Sequence, residues 1–158
     1  MNKSYRISIF FILIIGVLLS LFCVSEWLWP ELWGSRSLGN GLYLINWENN
    51  TKIVVYCKTP RGNTCYNGSY VVPSGPVSTM KEYVIEAVSN EHYIIILSYL
   101  IDQDKYKYYI ISKEYSDIND PLLEIKEKHL HPFEDYSHFS NKCDSLGIHK
   151  IIPSGWRM

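Results

Sequence analysis

The chain has 158 residues, a formal net charge of −1 and 20% charged side chains with both signs interspersed. That balance forms no basic field of the kind that attracts nucleic acid or anionic lipid, so we expect no nucleic-acid partner. The 13 tyrosines, together with many isoleucines and valines, favour strands because branched and aromatic side chains fit a pleated, half-buried surface. Composition therefore predicts an α+β protein that is mainly antiparallel β.

An apolar run from Ile7 to Val24 follows two basic residues, Lys3 and Arg6. At about 1.5 Å per residue, a helix over this run spans most of the roughly 30 Å hydrocarbon core of a bilayer. We predict an N-terminal transmembrane helix, a signal anchor over residues 1–24, with the rest of the chain outside the cytoplasm on the periplasmic side of the cell membrane. The predicted anchor residues are Ile7, Phe11, Ile14, Leu18 and Leu21.

The end of the apolar run leaves two alternatives to a retained anchor. Cys23 could carry a lipid, but lipidation sites have a small residue before the cysteine, and Phe22 is bulky. A cleaved signal peptide has a shorter apolar core followed by small residues at its cleavage site. A retained anchor is therefore preferred over lipidation at Cys23, and lipidation over simple cleavage.

Residues 25–40 are predicted to be a membrane-proximal connector, and residues 41–158 an extracytoplasmic domain. Three tryptophans of the connector favour the headgroup level of a membrane, where the indole ring is apolar and its N–H is wet. The alternative is that they are core aromatics. These residues are Trp27, Trp29 and Trp33.

The domain is predicted to contain about six strands in two meanders, after a turn at Gly39-Asn40-Gly41. The first meander comprises Leu42 to Trp47, Thr51 to Cys57 and Cys65 to Val72; the second comprises Tyr83 to Ser89, His92 to Leu100 and Tyr106 to Lys113. Prolines and a glycine between Pro73 and Val77 separate the two. The run from Ile94 to Leu97 shows no alternation, which predicts that both faces of that strand are buried.

Cys57 and Cys65 are predicted to form a disulfide. The segment from Thr59 to Asn63 suits a three-residue hairpin loop, which places Cys57 opposite Cys65. Directly opposed residues have Cα atoms about 4.5 to 5.5 Å apart, which is within disulfide range. The alternative, half of a metal site, lacks a second close Cys or His pair.

A C-terminal helix is predicted to cover the second face of the sheet. Its apolar residues recur at helical spacing, Pro132 suits its first turn, and Gly147 suits a left-handed cap. The apolar residues are Tyr136, Phe139, Cys143 and Leu146. The preceding segment from Asp120 to Leu130 is either a short helix capped by Asp120 or an ordered loop.

The sequence contains one cluster that could bind zinc through imidazole and carboxylate groups: His129, His131, Glu134, Asp135 and His138. The preferred interpretation is a polar, solvent-facing start of the C-terminal helix, because the last three lie opposite the apolar stripe. No serine or cysteine nucleophile motif and no phosphate or dinucleotide loop is present, and Cys143 suits a core position. We therefore predict no catalytic residues, no metal and no cofactor.

Tyrosines dominate the last predicted strand. Because aromatic side chains are enriched at interfaces, Tyr106, Tyr108 and Tyr109 are predicted to form a surface for a protein partner. In that strand Tyr106, Tyr108 and Ile110 face one side, while Tyr109 faces the other.

Three short motifs resemble a family of small bacterial envelope proteins, often lipoproteins, that carry a domain of unknown function. The motifs are Leu38-Gly39-Asn40-Gly41-Leu42-Tyr43, Tyr108-Tyr109-Ile110-Ile111 and Leu146-Gly147-Ile148. The resemblance implies a β-rich domain held at the envelope and no catalytic residues.

These features predict a membrane-anchored, non-enzymatic binding or interaction module outside the cytoplasm. An immunity-type protein that blocks an incoming toxin is a concrete version of it. The alternatives are a small metal-dependent hydrolase that uses the His129 to His138 cluster, and a structural accessory subunit of a membrane complex.

Overall fold

The computed structural model describes residue 16 and residues 34–47, 51–60, 64–65, 68–73, 81–116 and 120–156. The chain divides into two units, Met1–Trp33 and Gly34–Met158. The predicted transmembrane helix lies outside the described residues, as do Cys23 and the three connector tryptophans. The anchor residues that fall outside are Ile7, Phe11, Ile14, Leu18 and Leu21. Among the residues that are described, no helix is long and apolar enough to cross a membrane.

The described part of the second unit forms one sheet of eight strands, flanked by short helices. The strands are β1 (Ser35–Gly39), β2 (Leu42–Asn46), β3 (Lys52–Tyr56), β4 (Ser69–Val72), β5 (Glu82–Ser89), β6 (Tyr93–Leu100), β7 (Lys105–Ser112) and β8 (Leu130–Phe133). The helices are α1 (Pro121–Glu124), which continues as a π-helix over Ile125–His129, and α2 (Tyr136–Ser145). Short 3-10 turns occupy Ile101–Gln103, His149–Ile151 and Ser154–Trp156.

The strands follow the order β1-β2-β3-β5-β6-β7-β8, and β4 also pairs with β3. All of these pairings are antiparallel. The predictions of an α+β class, a mainly antiparallel sheet, two meanders and a packed C-terminal helix are confirmed. Pairing of β4 stops at Val72, immediately before Pro73, as the sequence predicts.

Two strands lie where the sequence predicted none. The predicted connector includes Ser35–Gly39, but this segment is β1 and pairs with β2. The predicted turn permits this pairing, since Gly39, Asn40 and Gly41 all have positive φ. The second strand is β8, which pairs with β7 along the segment that leads into α2.

Helix α2 begins later than predicted, because Pro132 belongs to β8 rather than to the first turn of the helix. Asp135 is the N-cap, and its carboxylate accepts the backbone N–H groups of Ser137 at 2.7 Å and His138 at 3.2 Å. The predicted left-handed cap is present, with φ of +68° at Gly147. The Ile148 N–H donates to the Cys143 carbonyl at 2.9 Å, which completes a Schellman motif.

Both faces of β6 are buried, as the unbroken apolar run predicts. Ile94 and Ile96 face an inner core between β1–β4 and β5–β7, which also contains Ile125 of the π-helix. Ile95 and Leu97 face an outer core under α2 and the C-terminal turns. From α2, Phe139 and Cys143 are fully buried in this outer core. Helix α2 is therefore the predicted cover of the second face of the sheet.

Cys57 and Cys65 lie at disulfide distance, with Cα atoms 5.9 Å apart. The predicted hairpin register is wrong, however, because Tyr56 pairs with Ser69 and β4 begins only there. Cys65 thus precedes β4 instead of facing Cys57 across a regular ladder. The pair packs with Ile53 and Val55 in a third apolar cluster, on the face of β3 opposite the inner core.

Candidate functional site

Two of the three tyrosines predicted to form a partner surface are buried. Tyr108 is 3% exposed and Tyr109 is 6% exposed. Tyr108 lies under α2 and stacks on Phe139, with ring centroids 5.0 Å apart, and Tyr109 points into the inner core. Because both faces of β7 are covered at this point, neither side chain forms part of an exposed partner surface. Tyr106, which lies two residues before Tyr108 on the same face of β7, is partly exposed.

Tyr106 belongs to a row of three tyrosines on adjacent strands, which we call the tyrosine patch: Tyr83 of β5, Tyr99 of β6 and Tyr106 of β7. The ladder aligns them, since Tyr83 is opposite Tyr99 and Tyr99 is opposite Tyr106. The ring centroids are 5.6 Å and 5.5 Å apart along the row. All three side chains are partly exposed. The patch is thus a continuous aromatic surface across three strands.

Charged and apolar residues adjoin the tyrosine patch in the sequence and in the turn after β6. The Lys81 ammonium pairs with the Asp102 carboxylate, and the Lys105 ammonium lies 3.1 Å from Glu134 Oε2. The turn after β6 also carries Ile101, which is 52% exposed. This arrangement has an aromatic centre, one exposed aliphatic side chain and a rim of ion pairs.

A hydrogen bond fixes the middle tyrosine of the patch. The Tyr99 hydroxyl donates to the Asp104 carboxylate, and this bond raises the pKa of Tyr99 by holding its proton. Asp104 has a φ of +50° and closes the turn between β6 and β7. The central ring is therefore held at its position before any partner binds.

The structure does not bring the predicted zinc-type cluster together. His129 Nε2, at the end of the π-helix, lies 3.5 Å from Glu124 Oε1 of α1, while His131 and His138 are exposed on β8 and α2. Glu134 pairs with Lys105, and Asp135 caps α2. In the described ranges, no three His, Cys, Asp or Glu side chains are close enough to hold a metal ion.

A cavity of about 250 Å³ opens between β4, β7, β8 and the π-helix. It is lined by Val71, Lys107, Tyr109, Lys126, Leu130 and Pro132. The lining thus combines two lysine side chains with apolar side chains. We call this space the lysine cavity.

A buried carboxylate lies behind the lysine cavity. Glu82 is 9% exposed, and its Oε1 accepts the Ser98 hydroxyl at 2.5 Å and the Tyr109 hydroxyl at 2.6 Å. Burial and the hydrogen bond to Glu82 raise the pKa of Tyr109 far above its ordinary value, so this hydroxyl keeps its proton and donates. Oε1 of Glu82 therefore accepts two hydroxyl groups within the core.

Sequence reasoning found one member of the tyrosine patch and did not predict the lysine cavity. Alternation along β7 correctly places Tyr109 on the side opposite Tyr106, which also puts Lys107 beside Tyr109. Nothing in the sequence indicates that Lys126 approaches them, since it lies in a π-helix on a separate element. Comparison of the chain with protein families, with curated proteins and with solved structures finds no match.

Proposed function

We propose that the protein is a non-enzymatic binding module, anchored outside the cytoplasm by its N-terminal segment, and that it binds a protein partner through the tyrosine patch. The observation that carries the proposal is the row of three partly exposed tyrosines across β5, β6 and β7. Tyrosine side chains are enriched at the centres of protein interfaces, where they supply a large rigid contact area and a hydroxyl.

The surroundings of the patch favour a protein over other classes of ligand. Binding energy at interfaces concentrates in a central aromatic cluster, while the rim is polar and accessible to solvent. The rim here contains two lysines and three acids, so neither sign dominates, and a polyanion gains no net attraction. These five residues are Lys81, Lys105, Asp102, Asp104 and Glu134.

Two features support a location outside the cytoplasm. Cys57 and Cys65 lie at disulfide distance, and disulfides persist mainly in oxidising compartments. The apolar run from Ile7 to Val24 has the composition of a membrane anchor, and Lys3 and Arg6 favour a cytoplasmic N-terminus. An incoming toxin is one partner that a protein in this position could block.

The test is site-specific photo-crosslinking of the full-length protein in its native membrane. A benzophenone amino acid replaces Ile101 at the patch or, as a matched control, Leu123 on α1, because their exposed fractions are 52% and 50%. We expect the probe at position 101 to form an adduct with one defined protein. A second probe, which replaces Tyr83, should form the same adduct, and the probe at position 123 should not.

A double substitution in the tyrosine patch tests whether the adduct depends on the patch. Tyr83→Ser combined with Tyr106→Ser should reduce the adduct formed from position 101 by about tenfold or more, since losing two interface tyrosines removes a few kcal/mol of binding. The proposal is wrong if positions 101 and 123 give the same adducts, or if the double substitution leaves the yield unchanged in protein whose circular dichroism matches wild type.

A further inference from the structure

We propose that the lysine cavity is a binding site for a small organic oxyanion, a carboxylate or phosphate group carried on a short apolar chain. The site lies on the face of β7 opposite the tyrosine patch, and it is independent of the partner surface. Lys107 and Lys126 hold the oxyanion, and the apolar side chains of the cavity contact the remainder of the ligand.

The charge of the cavity is the first support. Both lysines are partly buried, and within the described part of the chain neither ammonium lies at ion-pair distance from a carboxylate. Cations that line a partly buried space attract an anion more strongly than they do in bulk water. An oxyanion in the cavity supplies the counter-charge that both lysines lack among the described residues.

Glu82 forms no ion pair with either lysine in the described part of the chain. Its carboxylate is engaged by the hydroxyl groups of Ser98 and Tyr109, and it is buried behind the cavity wall. The Tyr109 ring instead orients one of the cations, since the Lys107 ammonium lies 5.1 Å from the ring centroid. A cation held over a ring keeps its N–H donors available, so Lys107 can still bond a ligand.

The apolar lining residues and the volume of the cavity limit what the rest of the ligand can be. Val71, Leu130 and Pro132 offer no side-chain hydrogen bonds, so the part of the ligand beside them is apolar. The cavity volume of about 250 Å³ is below the range of roughly 300 to 1,000 Å³ typical of drug-sized ligands. A chain of a few carbons with one anionic head group matches both limits.

Titration of ¹⁵N-labelled full-length protein in nanodiscs, followed by NMR, tests the site with four probes. The probes are hexanoate, butyl phosphate, inorganic phosphate and hexylammonium. We expect saturable amide shifts in β7 and β8 with hexanoate or butyl phosphate, weaker binding of inorganic phosphate and none with hexylammonium. Comparison of hexanoate with butyl phosphate distinguishes a carboxylate from a phosphate head group. Equal binding of hexanoate and hexylammonium would overturn the proposal without any substitution.

Substitutions then assign the binding to the two lysines. Lys107→Gln and Lys126→Gln should each weaken binding of the preferred probe by about tenfold, the loss expected for one charge-assisted hydrogen bond. Lys128→Gln is the matched control, because Lys128 lies in the same π-helix as Lys126 but is exposed and outside the cavity lining. Unchanged affinity in the Lys107→Gln/Lys126→Gln double variant, or an equal loss in Lys128→Gln, would place the binding elsewhere and refute the assignment.

Discussion

Cys143 provides a test of packing at the scale of one residue. Its thiol is fully buried between α2 and the sheet, and burial raises its pKa to about 12. Since the thiolate is the nucleophile, iodoacetamide at pH 8 should modify Cys143 only during unfolding. We expect the Cys143 peptide to stay unmodified for hours under native conditions and to react within minutes in denaturant, as read by mass spectrometry. Rapid native labelling would contradict this packing.

The same thiol predicts how stability depends on pH. The pKa of Cys143 rises from an ordinary value of 9.0 to about 12 in the folded protein, so the folded state binds this proton more tightly. Its contribution is fully present below pH 9 and is lost as pH rises toward 12. Between these values, the free energy of unfolding of wild type should fall more steeply than that of Cys143→Ala, by at most about 1.4 kcal/mol per pH unit. If the free energies of unfolding of wild type and Cys143→Ala, measured in urea, change in parallel with pH, Cys143 does not contribute to the pH dependence.

At the residue scale, the sequence predicts the face of a side chain better than its exposure. Alternation along β7 correctly separates Tyr108 from Tyr109, but burial depends on α2 and on the inner core, which come from distant segments. Tyr83 was missed for a different reason. A bulge between Val84 and Glu86 shifts the alternation of β5, so counting back from buried Ala87 would place Tyr83 inside.

Gly147 at the end of α2 allows a test at the scale of one element. Its φ is +68°, and a Cβ built there meets nothing within 4 Å, so any cost of a side chain comes from backbone conformation alone. Gly147→Ala should lower the free energy of unfolding by about 1 to 2 kcal/mol, and Gly147→Asn by less, because asparagine tolerates the left-handed region. Urea denaturation gives the comparison.

Gly155 is the matched control for this helix end. A Cβ there also meets nothing within 4 Å, but its φ is outside the left-handed range. Gly155→Ala should therefore change the free energy of unfolding by less than about 0.5 kcal/mol. If both alanine variants lose the same stability, the left-handed cap is not the cause.

At the element scale, the prediction found the strands and the helix that carry a periodic apolar signal and missed two strands that do not. The six predicted strands carry apolar runs bounded by turn residues, and α2 carries a helical repeat and a capping glycine. Strand β1 is short with exposed Arg36 and Ser37, and β8 contains Pro132, which suits an edge strand but gives no periodic pattern. Both exist because a neighbouring strand, β2 or β7, offers a free edge. The partner of β8 lies in a separate segment of the chain, whereas β1 pairs with β2 across the turn at Gly39-Asn40-Gly41.

For the whole molecule, the sheet keeps its two candidate sites on opposite faces. Helix α2 covers the outer face over Tyr108 and Phe139, and the tyrosine patch lies beyond it on the same face. The lysine cavity lies on the inner face, beside Tyr109 and Ile125 of the inner core. The buried strands β6 and β7 separate the sites, so substitutions at Ile101 should leave oxyanion binding unchanged.

The Cys57–Cys65 pair predicts how stability responds to reductant. A disulfide between these cysteines, which are separated by 8 positions, links β3 to the segment before β4. Closing so short a loop in the unfolded chain stabilises the fold by about 2 to 3 kcal/mol in the chain-entropy model. Reduction of wild type should lower the free energy of unfolding in urea by this amount while keeping both sulfurs in the cluster with Ile53 and Val55. The Cys57→Ala/Cys65→Ala variant is the control, and its stability should not respond to reductant. Mass spectrometry must first show that both thiols of the reduced wild type are free. If this reduced protein keeps its stability, the surrounding packing, and not the cross-link, stabilises this part of the sheet.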